Sequence, residues 1–254
     1  MTTDIASIAE RLDEAARSAT ATTQLSEPLS LDEAYAVQAA SIARRVARGE
    51  RRVGIKMGFT SRAKMLQMGI DEMIWGRLTD AMLIEDGGTI DIANYVHPRT
   101  EPEVAFLLKA PLAGKVTPAA ALAAVGGLAP ALEIIDSRYR DFKFSLTDVI
   151  ADNSSSSSFV VGPWANPEID ISNLGMILEV DGEAKQIGSS AAILGHPIRS
   201  LVAAARIADA AGEPLRAGDI VMAGGATAAV ALERGQHIRL VAQHIGRVEF
   251  RVQA

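Results

Sequence analysis

Apolar positions at the start of the chain recur at helical spacing. Ile5, Ile8, Leu12 and Ala15 predict one helix. A polar stretch from Thr20 to Leu29, with Pro28 in it, interrupts the pattern. Ser30 then opens a second helix, with Glu33 at capping-box spacing and Gly49 near its end. Beyond residue 50 the pattern changes to short apolar runs between turn signals. Strands are expected over Val53–Met57, Glu101–Leu108, Ala131–Asp136, Ile220–Ala223, His237–Val241 and Arg247–Val252. Met82–Glu85 and Thr89–Ile92 are expected to pair across Asp86-Gly87-Gly88, and Met176–Val180 and Glu183–Ile187 across Asp181-Gly182. Short helices are expected over Ser61–Met68, closed by Gly69, and over Pro197–Ala211, with Pro in the first turn and Gly212 after the end. This divides the chain into a helical N-terminal lobe, 1–50, and a β-rich domain, 51–254. The fold class is α+β, because the regular βαβ alternation of a doubly wound fold is missing.

Composition narrows the chemistry. The 254 residues include no cysteine, which removes disulfides, thiolate metal sites and cysteine nucleophiles. A net charge of −6 argues against a nucleic-acid partner. No apolar run is long enough to span a bilayer, and Met1 to Ala9 carries Asp4 and no basic, apolar leader, so a cytoplasmic protein is expected. Neither a G-x-G-x-x-G fingerprint nor a P-loop is present, which disfavours nucleotide chemistry.

The segment Thr100-Glu101-Pro102-Glu103-Val104-Ala105-Phe106 carries the strongest chemical signal. Alternation in a strand puts Glu101 and Glu103 on one face and Pro102, Val104 and Phe106 on the other. Two carboxylates side by side either line a solvated strand end or hold a hard cation such as Mg²⁺ or Mn²⁺. Glu133 stands in the apolar run Ala131–Ile135, where it is either a third ligand or a salt-bridge partner, for instance of Arg138; Asp136 competes for the ligand role. Lys56, in a mostly apolar strand, is either an exposed edge residue or an acid–base group beside a metal. The stretch Asp152-Asn153 followed by five serines is a flexible linker or a set of hydrogen-bonding groups. Gly224-Gly225-Ala226-Thr227 is a tight turn or a close approach of backbone N–H groups to a ligand.

Several stretches, taken in order, resemble the hydratase and decarboxylase group of the fumarylacetoacetase superfamily. They are Gly54-Ile55-Lys56-Met57-Gly58-Phe59-Thr60-Ser61, Glu101-Pro102-Glu103, Pro130 through Arg138, Val149 through Ser155, Gly195-His196-Pro197 and Ala217 through Val221, and together they cover nearly the whole chain. The resemblance implies a fumarylacetoacetase-like mixed β-roll with flanking helices. It implies Mg²⁺ or Mn²⁺ on Glu101, Glu103 and Glu133, with Lys56 nearby as the catalytic group, and Asn153, Ser155 and Thr227 as substrate ligands. Hydratases of the group tend to carry an acid before the aromatic-Gly pair. Here Ile74 precedes Trp75-Gly76, so Ile74 is expected to wall the substrate site and the decarboxylase branch is preferred. The implied reaction is metal-dependent decarboxylation of 4-oxalocrotonate, a small 2-oxo dicarboxylic acid, in aromatic catabolism. Hydration of 2-hydroxypenta-2,4-dienoate is the alternative. A non-catalytic partner subunit is a further one, although such a subunit could dispense with the three carboxylates. The resemblance also implies a homo-oligomer and a complex with a paralogous hydratase.

Overall fold

The structure, a computed structural model, describes residues 3–25, 27–61, 65 and 73–254. The helix expected over Ser61–Met68 lies largely outside them. Two helices come first, α1 (Ile5–Arg17) and α2 (Leu31–Ala47). The expected capping box starts α2: the Ser30 hydroxyl accepts from Glu33 N–H, and Glu33 accepts from Ser30 N–H at 2.8 Å.

The remainder is mixed α+β. In chain order it contains β1 (Arg52–Gly58), β2 (Ile74–Thr79), β3 (Leu83–Ile84), β4 (Thr89–Ile90), β5 (Arg99–Leu108), α3 (Pro118–Ala124), β6 (Val125–Ile135), α4 (Leu146–Ala151) and β7 (Ser156–Val161). It closes with β8 (Gly175–Val180), β9 (Glu183–Ser189), α5 (Pro197–Ala210), β10 (Ile220–Met222), β11 (Val230–Ala231), β12 (His237–Ala242) and β13 (Gly246–Val252). One sheet runs β2-β1-β10-β5-β6-β7-β3, with β11 also on β5; a second runs β4-β13-β12-β8-β9. The main core lies between the sheets and around α5, where Phe106, Val104, Leu132, Leu178, Leu201 and Phe250 are buried.

The hairpin at Asp181-Gly182 forms as expected, with both residues at positive φ (54° and 84°), the conformation that matches strand twist in a two-residue turn. The pairing expected between residues 82–85 and 89–92 does not form. β3 runs parallel to β7 and β4 runs parallel to β13, so the chain crosses from one sheet to the other at this turn. The reason is docking: Gly87 N–H donates to Glu249 O and Glu249 N–H donates to Asp86 Oδ1, at 2.8 and 2.9 Å, which ties the turn to β13. A two-residue ladder has few bonds with which to compete.

β5 is a central strand that contains Pro102, which lacks the N–H a ladder needs. Its neighbour on one side is interrupted: β11 covers Arg99–Thr100 and β10 covers Ala105–Leu107. Across the gap runs the 223–229 loop, with Ala223 N–H on Val104 O and Ala226 N–H on Pro102 O. The interruption opens the sheet beside Glu101 and Glu103.

A second cluster of buried apolar residues joins α1, α2 and α4 to Ile74 and Tyr139. Within it Gln38 is fully buried; its Nε2 donates to Trp75 O and Ile150 O, and its Oε1 accepts from Arg77 at 2.6 Å. The helices therefore meet β2 through specific hydrogen bonds next to the site.

Candidate metal centre and substrate cavity

Register decides which carboxylates meet. In the β5–β6 ladder Glu101 lies directly opposite Glu133, and Glu103 follows one same-face step along β5. An oxygen from each of the three lies within 4.8 Å of the others. Glu103 and Glu133 are fully buried. On β1, Lys56 places Nζ 3.2 Å from both oxygens of Glu133 and hydrogen-bonds one of them.

Among the described residues, Lys56 is the cation beside the two buried carboxylates, paired with Glu133. Gly224, at φ +102°, lets its N–H reach Glu103 Oε2 at 2.7 Å. Among the described residues, Glu103 Oε1 and Glu133 Oε1 make no hydrogen bond. Burial, then the charges of Glu133 and Glu101, push the Glu103 carboxyl well above the usual carboxylate range. A divalent cation fits such a donor set: all ligands are hard carboxylate oxygens, and among the described residues two buried ones accept no hydrogen bond. Glycines 224 and 225 serve the carboxylates here, since a Cβ on Gly225 would lie 3.0 Å from the Glu101 carboxylate.

A cavity of about 340 Å³ opens over this cluster. Lys56, Ile74, Arg99, Glu101, Phe142 and Ser155 are among its walls, and Phe59, Phe144 and Val149 make much of it apolar. Lys56, Ile74, Ser155 and the three glutamates thus come together. Asn153 and Thr227 are not among the lining residues. Asn153 spends its amide on β2: Oδ1 accepts from Arg77 N–H at 2.8 Å and Nδ2 donates to Arg77 O at 2.9 Å. Thr227 hydrogen-bonds Ala228 O and packs its methyl toward Gly188. Ser155 Oγ is buried and has no hydrogen-bond partner, although it lines the cavity.

Asn153, Ser154 and Ser155 have φ of 49°, 53° and 58°, one turn of left-handed backbone. Such residues cost about 1 kcal/mol or more each and persist only where surroundings over-determine them. Arg138 supplies much of that hold. Its N–H and Nε donate to Asp152 Oδ2 and Oδ1 at 2.9 and 2.5 Å, and its Nη2 donates to Asp152 O at 2.5 Å. Ser154 Oγ donates to Trp75 O at 2.7 Å. Gly76 is required beside this turn, because a Cβ there would lie 2.5 Å from Asn153 O. Arg138 is accordingly the partner of Asp152 and not of Glu133. Asp136 accepts from Val96 and His97 N–H, away from the carboxylate cluster.

Sequence reading missed Arg99 and Phe142. Strand alternation could have found Arg99, which shares the face of Glu101 two residues away. Phe142 sits in an irregular loop, where no periodicity reports a facing direction.

Comparison with known proteins fits this geometry. Residues 52–253 match the family model for the C-terminal part of fumarylacetoacetate hydrolase. The chain belongs to the fumarylacetoacetate hydrolase family. It is 60% identical over 248 residues to a 4-oxalocrotonate decarboxylase of a Pseudomonas species, covering 97% of each chain. It is 36% identical over 223 residues to a 2-keto-4-pentenoate hydratase of Paraburkholderia xenovorans, covering 87% of this chain and 83% of that one. Among solved structures it superposes on the 4-oxalocrotonate decarboxylase of Pseudomonas putida G7, complexed with magnesium and adipate, with TM-score 0.95, 37% identity and 99% of both chains covered.

Proposed function

We propose that this protein decarboxylates 4-oxalocrotonate (2-oxohex-3-enedioate) to 2-hydroxypenta-2,4-dienoate and carbon dioxide, with Mg²⁺ or Mn²⁺ as cofactor. The observation that carries the reading is a carboxylate triad, two of its members fully buried, with oxygens that accept no hydrogen bond among the described residues, beneath a cavity walled by Ile74 and aromatic rings. Among the described residues, Glu101 is the one carboxylate lining that cavity. A hydratase would need a further acid to deliver a proton and water.

Glu101, Glu103 and Glu133 would hold the metal. When bound, the ion supplies Lewis acidity and a chelating point for a 2-oxo carboxylate. The substrate is a vinylogous β-keto acid. Its C5–C6 bond breaks, that electron pair forms C4=C5, the old alkene pair moves to C2–C3, and the carbonyl pair goes to the C2 oxygen. Lys56 Nζ, on the cavity wall, hydrogen-bonds that oxygen and supplies its proton. The Ser155 hydroxyl, which has no hydrogen-bond partner among the described residues, hydrogen-bonds the substrate. Ile74, Phe59 and Phe142 keep water from the carbon that loses the carboxylate. Asn153 acts by fixing β2 against the Ser155 turn, and Thr227 by shaping the loop over Glu101.

A cytoplasmic enzyme is part of this reading; no described helix is long and apolar enough to cross a membrane. The dienol product is unstable, which favours handing it to a paralogous hydratase in the same oligomeric complex. The test is an ultraviolet time course with 4-oxalocrotonate and Mg²⁺, with and without EDTA. EDTA-sensitive loss of substrate with release of carbon dioxide is expected. No reaction there, with EDTA-sensitive consumption of 2-hydroxypenta-2,4-dienoate, would make the protein a hydratase.

A further inference from the structure

Two cations line the cavity among its described residues, Lys56 and Arg99. They differ in what they already hold. Lys56 is committed to Glu133 at 3.2 Å. Among the described residues, the recorded contact of the Arg99 guanidinium is with the Phe142 ring, whose centroid is 4.3 Å from Cζ. Stacking engages the flat face of a guanidinium and leaves its N–H edge for an acceptor, in the fork geometry that suits a carboxylate. The ring is itself held at some strain: Phe142 has φ 57° and the preceding Asp141 has φ 59°. A bulky residue in left-handed backbone marks a position fixed by need, not by local preference.

Register sets the distance from the metal ligands. Arg99 opens β5 and shares the face of Glu101, one two-residue step away, about 7 Å along the strand. Glu101 faces Glu133, so the triad lies at one end of this row and the guanidinium at the other. A 2-oxo acid anchored by its C1–C2 end over the triad would extend its far end along β5 toward Arg99.

We propose that Arg99 reads the second carboxylate of the substrate and so selects dicarboxylic over monocarboxylic 2-oxo acids; this rests on the decarboxylase reading of the same site. The role is one of specificity. The carboxylate that Arg99 would grip departs as neutral carbon dioxide, so the interaction favours the bound substrate more than the transition state. It therefore lowers KM and does not raise kcat. Phe142 gives the guanidinium a resting place after the charge has gone.

The experiment compares wild type, Arg99→Met and Arg99→Lys in Mg²⁺. Steady-state decarboxylation is measured, together with calorimetric binding of adipate (two carboxylates) and of 2-oxopentanoate (one). In Arg99→Met, KM for the diacid and Kd for adipate are expected to rise roughly ten- to a hundredfold, the worth of a charged hydrogen-bonded contact. The kcat is expected to hold or rise, and 2-oxopentanoate binding is expected not to change. Arg99→Lys, which keeps the charge without the fork, is expected to fall between. Equal losses for adipate and 2-oxopentanoate would overturn the proposal by placing Arg99 at the carboxylate end that the two share, and unchanged adipate binding would overturn it outright. Absence of turnover in wild type would instead sink the decarboxylase reading, and the adipate comparison would still decide the role of Arg99.

Discussion

Two buried acidic clusters lie a few residues apart in the sheet scheme and are built on opposite terms. At the Arg138–Asp152 pair one guanidinium meets one carboxylate, and the donors are spent on Asp152 and Ser156. At the Glu101–Glu103–Glu133 triad three carboxylates meet, Lys56 pairs with Glu133, and among the described residues two buried oxygens have no hydrogen bond. If all are ionised, Arg138 and Asp152 sum to zero, while Lys56 with the two buried carboxylates, Glu103 and Glu133, sums to one negative charge. Burial penalises both, and Arg138 offsets part of that penalty at the first. The second leaves hard carboxylate oxygens that a cation from outside would suit. The balance of charge in a buried cluster thus separates a residue set that shapes the fold from one that uses it.

The sharpest way to break this comparison is Glu103→Gln. Turnover is expected to fall about a thousandfold or more, with Mg²⁺ binding by calorimetry lost alongside. Thermal stability in EDTA is expected to hold or to rise by about 1 kcal/mol, because like charges no longer face each other. Loss of stability in EDTA would make the triad structural and erase the distinction.

Asp152→Asn probes the other side. It strands Arg138 as a buried charge and is expected to cost about 3–5 kcal/mol in denaturant titrations, by the same amount with or without Mg²⁺. A cost that vanished on adding Mg²⁺ would tie this pair to the metal after all.

Titration gives a third contrast. Burial first of all raises the Asp152 carboxyl to about 6 despite the opposing pull of Arg138. A carboxyl raised on folding binds more protons in the native state, so its contribution is fully present below about pH 4 and is lost as pH rises through about 6. The difference in unfolding free energy should amount to roughly 3 kcal/mol across that window. Comparing stability from pH 4 to pH 7 in wild type and Asp152→Asn checks this; a difference curve with no slope between pH 4 and 6 would refute it.

The smallest effect belongs where the clusters touch. Ser155→Ala removes a hydroxyl that the left-handed turn carries into the cavity. We expect kcat to fall about tenfold and stability to change by no more than about 0.5 kcal/mol. A large loss of stability would make the hydroxyl part of the clasp.

Much of the site was legible because it lies on strands. Alternation along β5 places Glu101 and Glu103 together and sends Val104 and Phe106 to the core. What alternation cannot supply is register: that Glu133 faces Glu101, while Asp136 turns to the 96–97 backbone, is a property of the β5–β6 pairing. The family resemblance chose Glu133 where the residues alone left it open. The 82–92 segment misled because a Gly-rich turn between two short apolar runs looks alike whether the runs pair or join separate sheets. Asn153 misled for a related reason. A polar side chain in a serine-rich stretch looks available to a ligand until the backbone it caps, that of Arg77, is known.

Trp75 gives this architecture an optical consequence. The protein has two tryptophans; Trp75 is 1% exposed and Trp164 is 41% exposed. The buried indole stacks on Tyr35 at 5.8 Å, lies 4.5 Å beneath the Arg77 guanidinium and follows Ile74 in the chain. Its carbonyl accepts from Ser154 of the left-handed turn. With Trp164 replaced by Phe, a single tryptophan would remain, wired to the cavity wall and to the turn that carries Ser155. Its emission would then register events in the cavity without any added label, and filling of the site could be followed in real time by light alone.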